Sequence, residues 1–228
     1  DYVNANLIAG NQFNLNSGND TNIISGNILA SKVNMLIAGD LNLESRQNSL
    51  TSKDTSFSLG GGFSASGGGK SGSANISYSK SVSDRDWVDN QASILGTNSV
   101  AINVGKNTNL VGSAIANSIN GKIGSEGIAG GNLALNTNTL TYSNLYDSDF
   151  ARSFGIGAGI NARTGGSAGG IKGSGSLTLD YSMHNYEQNT NAIIGNGSIE
   201  TGTSLNLDNN NNLILVNGGT NYSGDLNR

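Results

Sequence analysis

Asn6-Leu7-Ile8-Ala9 returns 21 residues on as Asn27-Ile28-Leu29-Ala30, and each copy leads into an alternating apolar run and a Gly. A chain that comes back to one apolar-and-turn phrase at this interval stacks a small unit on the next. Around the phrase, from Tyr2 to Leu43, apolar residues fall in short clusters: Leu7-Ile8, Phe13 with Leu15, Ile23-Ile24, Val33 with Met35, and Leu41 with Leu43. Gly-Asn, Ser-Gly-Asn-Asp and Ala-Gly-Asp separate them, which are turn chemistries, so strands of three to five residues alternate with tight turns. No stretch keeps helical periodicity. The texture resumes at Ile94-Leu95-Gly96, again at Ile115, and a third time from Ile193-Ile194-Gly195 through Leu205, Leu207, Leu213 and Leu215.

Composition agrees with a chain that turns often. Charged residues are 12% of the 228 and hydrophobic ones 35%, with 34 Gly and no Pro or Cys. Surface polarity must then come from Asn, Ser and Thr, and a continuous sheet benefits from the lack of Pro, which would remove ladder donors. Without Cys, neither disulfides nor thiolate metal sites can form. The net charge of -4 and only 12 Lys and Arg, scattered singly, argue against a nucleic-acid partner, which needs a basic stripe. No apolar run reaches the length of a membrane-spanning helix. Because Asp1 opens in mid-pattern, the chain reads as an internal segment of something longer.

Strands this short gain stability by stacking on equivalent strands above and below. The expected fold is therefore all-β: one right-handed parallel β-helix, or solenoid, over 1–228, with apolar side chains inward and Asn, Ser and Thr laddered at the turns. About eight coils at the ~4.8 Å strand spacing would give a rod roughly 40 Å long.

Two segments, about 56–84 and 153–183, break the rhythm. SFSLGGGFSASGGGKSGSANISYSKSVSD (Ser56–Asp84) alternates strictly, with Phe57, Leu59, Phe63 and Ala65 before a Gly-rich bend and Ala74, Ile76, Tyr78 and Val82 after it. The stretch from Ser153 has the same form, with Phe154, Ile156 and Ile160 before its bend and Leu177, Leu179 and Tyr181 after it. Alternation about a Gly-rich bend reads as a protruding antiparallel hairpin. The halves also match at longer range: Leu41 and Leu43 with Leu133 and Leu135, Phe57 with Phe154, Trp87 with Tyr186, and Ile94-Leu95-Gly96 with Ile193-Ile194-Gly195.

GNDTNIISGNILASKVNMLIAGDLNLESRQNSLTSKDTSFS (Gly18–Ser58), DNQASILGTNSVAINVGKNTNLVGSAIA (Asp89–Ala116) and LTYSNLYDSDFARSFGIGAG (Leu140–Gly159) resemble the haemagglutinin repeat region of filamentous haemagglutinin-like exoproteins. They are most similar to the second repeat region of large contact-dependent growth inhibition proteins of Gram-negative bacteria. The resemblance implies a secreted or cell-surface protein, passed unfolded through an outer-membrane two-partner secretion transporter. It further implies a partner in the target cell's outer membrane or a surface receptor, and a role in delivering a toxin carried elsewhere in the chain. Adhesin members of the same group imply the alternative, a stalk that binds host surfaces.

No catalytic constellation overlies the repeats, and neither enzymatic activity nor a cofactor is expected. Asp84, Arg85 and Asp86, then Asp147, Asp149 and Arg152, are the carboxylate and cation groups that a carbohydrate-cleaving enzyme would need, yet each set flanks a hairpin base where a charged collar is sensible. His184 is the lone histidine, too few for a His-based metal site. Gly60 to Gly62 and Gly67 to Gly69 lack the Gly-Lys-Ser/Thr of a phosphate loop. The candidate contact residues are therefore those of the hairpin faces: Phe57, Leu59, Phe63, Ile76, Tyr78, Phe154, Ile156, Ile160, Leu177 and Leu179. Their alternation has the period of a membrane β-strand, and equally that of a face packed on the rod's flank. Trp87 and Tyr186, where the hairpins rejoin the rod, are expected to cap its core.

Overall fold

The computed structural model describes residues 2–123, 130–165, 170–202, 204–207, 213–216 and 221–223. Every regular element among them is a strand. The first half holds β1 (Ala5–Ser17), β2 (Thr21–Ile24), β3 (Gly26–Ile37), β4 (Leu41–Glu44), β5 (Asn48–Ser66), β6 (Gly69–Trp87), β7 (Ser93–Val104), β8 (Asn107–Val111) and β9 (Ala114–Asn117). The second holds β10 (Leu133–Asn136), β11 (Thr139–Ser143), β12 (Leu145–Gly165), β13 (Ile171–Thr190), β14 (Ile193–Ile194), β15 (Ser198–Glu200), β16 (Ser204–Leu207), β17 (Leu213–Val216) and β18 (Asn221–Ser223). The chain divides into two compact units, one formed by Asp1–Asn48, Trp87–Asp147 and Gln188–Arg228, the other by Ser49–Asp86 and Ser148–Glu187.

In the first unit the opening phrase pairs with its own repeat. Asn6 lies beside Asn27 and Leu7 beside Ile28 in a parallel ladder between β1 and β3. The ladder continues through β7, β10 and β15. Parallel register stacks like on like, so Phe13, Val33, Val100 and Leu133 form one column, and Leu15, Met35, Ile102, Leu135 and Ile199 the next. A second sheet runs β2-β4-β8-β11, also parallel, and stacks Ile23, Leu43, Leu110 and Tyr142. Alternation sends these columns inward, except at Tyr142, which ends its column exposed. Val33, Ile37, Leu41, Leu43, Ile102, Val104, Leu110 and Leu135 are fully or almost fully buried in one cluster.

The intervening residues carry amide ladders. Asn27 Nδ2 donates to Asn6 Oδ1 (3.0 Å), Asn34 to Asn14 (3.1 Å), Asn42 to Asn22 (2.8 Å) and Asn136 to Asn103 (2.7 Å). These ladders sit on strands, where outward positions repeat in register, and not only at the turns where the sequence suggested them. A turn does carry a carboxylate ladder: Asp40 N donates to Asp20 Oδ1 (2.8 Å), and Asn107 N to Asp40 Oδ1 (2.9 Å). Gly39 belongs there because a Cβ on it would lie 2.1 Å from Asp20 Oδ1.

Several long-range matches need correction. Leu133 and Leu135 stack under Val100 and Ile102, in a different sheet from Leu41 and Leu43. Ile94 and Ile194, not Ile193, flank Ile115 in one column. One residue of slip reverses every side chain of a strand, so burial decides between the two. Among the described residues the main ladder is five parallel strands deep, short of eight coils, because the chain commits two long segments to the second unit. After β15 the parallel pattern stops: β16 pairs antiparallel with β17, and β15 with β18. Only five residues separate β16 from β17, enough for a hairpin but too few for a parallel crossover.

Candidate functional site

The second unit is a single four-stranded sheet in the order β13-β12-β6-β5. Sequence reading placed the two excursions apart. Instead β6 and β12 pair antiparallel from Asp86–Ser148 to Lys70–Thr164 and Gly69–Gly165. The strands also begin and end outside the 56–84 and 153–183 stretches, because polar pairs extend them: Thr51 Oγ1 bonds Asp84 (3.1 Å) and Ser49 bonds Asp86.

Serine pairs fix the remaining registers. Ser56 bonds Ser79 (2.8 Å), Ser58 bonds Ser77 (2.7 Å) and Ser64 bonds Ser71 (2.7 Å) across β5 and β6. Ser153 bonds Ser182 (2.7 Å) across β12 and β13, where Gly155, Gly157 and Gly159 face Asp180, Thr178 and Ser176. Side chains directly opposite share a face of the sheet. One face therefore bears Ser, Gly, Asn and Thr almost without interruption. The other carries all ten candidate residues in cross-strand rows, with Phe57, Tyr78, Ile156 and Leu179 in one row and Leu59, Ile76, Ala158 and Leu177 in the next.

This apolar face is uncovered. Its ten candidate residues range from 38% exposed at Tyr78 to 76% at Phe63, and no described strand of the same unit lies over them. Rows from Phe154–Tyr181 to Phe63 cover roughly 27 Å at ~3.4 Å per residue. Cations bracket them, with Lys80 in the Phe154 row, Lys53 and Arg152 one row beyond, and Lys70 past Phe63. Two shallow depressions mark the face. Leu59, Ala74, Ile76, Ala158 and Ile160 line one of about 290 Å³; Tyr78, Lys80, Val82, Arg152, Phe154 and Tyr181 line one of about 360 Å³. The polar face has a larger one, about 640 Å³, where Arg163 and Lys172 sit among serines.

Five of the six charged residues weighed for catalysis, all but Arg152, make hydrogen bonds or ion pairs that tie strands together. Arg85 Nε lies 3.5 Å from Asp149 Oδ2, and His184 Nε2 3.2 Å from Asp149 Oδ1, so Asp149 joins β6, β12 and β13. Asp147, in the first unit, is fully buried. Its Oδ1 accepts from Gln47 Nε2 (2.8 Å) and Val88 N (3.1 Å), and its Oδ2 from Gln188 Nε2 (3.1 Å) and Thr190 Oγ1 (2.6 Å). Buried carboxylates are tolerated when their lone pairs are filled in this way. Sequence reading missed the role of Asp147, since its four partners are scattered along the chain. Tyr186 does not cap a core: it is exposed and stacks on His184 at 5.4 Å, while Val88, next to the half-buried Trp87, takes the buried position. Among the described residues, no three metal-ligating side chains gather.

A family model described as the hemagglutinin repeat matches residues 1–58 and 49–139, more than half of the chain. No curated protein and no solved structure matches it.

Proposed function

From the premise that this chain belongs to the hemagglutinin repeat family, we propose that it is a non-enzymatic segment of a secreted, cell-surface exoprotein of the filamentous haemagglutinin type, exported by a two-partner transporter. In this reading the parallel ladders of the first unit are walls of a right-handed parallel β-helix. The four-stranded sheet is the working surface, and it engages the outer membrane of a target cell in contact-dependent growth inhibition, aiding delivery of a toxin.

The observation that supports this reading is the uncovered apolar face. Each large side chain there gains at most roughly 1.5–3 kcal/mol on leaving water, less where it is already half buried, and an apolar band near 25 Å between polar margins is the dimension of a membrane β-sheet. Open strand edges are not tolerated within hydrocarbon, so the unaided sheet would lie on the lipid with its apolar side down.

Flotation with liposomes of outer-membrane lipids tests it. The native chain should rise with the lipid, and the variant Phe57→Ser, Phe63→Ser, Phe154→Ser, Ile156→Ser should stay at the bottom with an unchanged circular dichroism spectrum. Equal flotation of the two rejects the membrane reading. The polar face, with Arg163 and Lys172 over a serine-lined depression, favours the second reading, a stalk that binds anionic groups on host surfaces.

A further inference from the structure

The sheet of the second unit ends in two long edges, and the rest of the sheet indicates what they fit. β12 repeats β5: Phe57-Ser58-Leu59, Phe63 and Ala65 return as Phe154-Gly155-Ile156, Ile160 and Ala162. β13 repeats β6: Ile76-Ser77-Tyr78 and Val82 return as Leu177-Thr178-Leu179 and Met183. The central β6–β12 ladder is thus the second strand of one repeat paired with the first strand of the next. Among the described residues nothing pairs with the outer edge of β13 or of β5, although each is the repeat counterpart of a strand that is paired in the centre.

We propose that β13 of one copy of this chain pairs antiparallel with β5 of a second copy, in the register that β6 and β12 already use. The pair Tyr78–Ile156 then becomes Leu179–Leu59, Ser81–Ser153 becomes Ser182–Ser56, and Val82–Arg152 becomes Met183–Thr55. The apolar face continues without a break, and the opposite face stays polar, with Asp180 beside Ser58 and Lys172 beside Ser66. Edges meant to remain single are blunted by Pro, by charge or by brevity. Here both edge strands are long, the chain has no Pro, Thr55–Ser66 contains no charged residue, and Lys172–Met183 opposite it has only Lys172 and Asp180.

Cysteine pairing reads the register directly, since the chain has no Cys of its own. Leu59→Cys and Leu179→Cys, both at exposed positions, are prepared separately, mixed without lipid and oxidised. The mixture should shift to a disulfide-linked species of twice the chain mass, and neither variant alone should. Ser58→Cys mixed with Leu179→Cys should give none, because its Cβ points to the opposite face. Linkage by Leu59→Cys alone, or equal linkage with Ser58→Cys, overturns the register. A native chain that sediments as monomer at every concentration overturns the pairing itself. Because lipid is absent throughout, neither result depends on the liposome experiment.

Discussion

Ser25 and Gly112 turn equivalent corners of the first unit with nearly the same left-handed backbone, at φ 49° and 51°. The corners are in stacked register: Ser25 N donates to Glu44 O, Ser45 N to Val111 O, and Gly112 N to Ser143 O. Glycine adopts this conformation freely, whereas an L side chain is strained by about 1–2 kcal/mol. The Ser25 hydroxyl offsets none of this, being buried without a hydrogen-bond partner among the described residues. Ser25→Gly should therefore stabilise the protein by about 1 kcal/mol, seen as a higher urea midpoint; Gly112→Ala should lower it, its Cβ falling 2.8 Å from Leu145 Cδ1.

Asp147 satisfies four donors from a fully buried position. Asp147→Ala strands the buried Val88 amide and Thr190 hydroxyl, while Gln47 keeps Tyr146 O and the exposed Gln188 turns to water. A loss of about 3 kcal/mol is expected. Asp147→Asn keeps the shape but turns one acceptor into a donor, so it should fall between native and Ala in the same denaturation series.

Ile102 is fully buried between Met35 and Leu135 in one column. Removing it by Ile102→Ala leaves a void that a ladder pinned above and below cannot collapse into, at a cost of about 3–4 kcal/mol. Hydrogen exchange of the β3, β7 and β10 amides should accelerate together.

Gly96 sits where the β3–β7 ladder shifts register, after Ala30 and before Lys32 with Ser99. A Cβ there would come within 2.1 Å of Ser99 O, a backbone atom that cannot swing aside. Gly96→Ala should cost about 2 kcal/mol or more, whereas Gly131→Ala, with open space around it, should leave the melting temperature unchanged.

The recurrence at Asn6 and Asn27 was legible because parallel stacking turns sequence period directly into contact. So was the 21-residue step from Ile94 to Ile115, which pair side by side. Alternation from Phe57 to Val82 and from Phe154 to Tyr181 likewise gave the apolar face, since period two needs no knowledge of the neighbouring strand. The β6–β12 ladder was hidden. Its strands lie more than fifty residues apart in the chain, and local patterning states which face a residue occupies but not which strand lies beside it. The Leu41–Leu133 mismatch has the same origin: both sheets of the first unit use Leu-x-Leu, so the motif alone cannot tell one from the other.

That interlocked ladder fixes an order of events. β6 is complete at Trp87, but its partner begins only at Leu145, so a chain emerging from its N-terminal end holds a lone two-stranded ribbon, marginal in water, until the following stretch has come through. The β12 strand then acts as a latch that closes late. A chain stopped at Asn144 should expose β6 to proteases, while one extended to Thr190 should shield it.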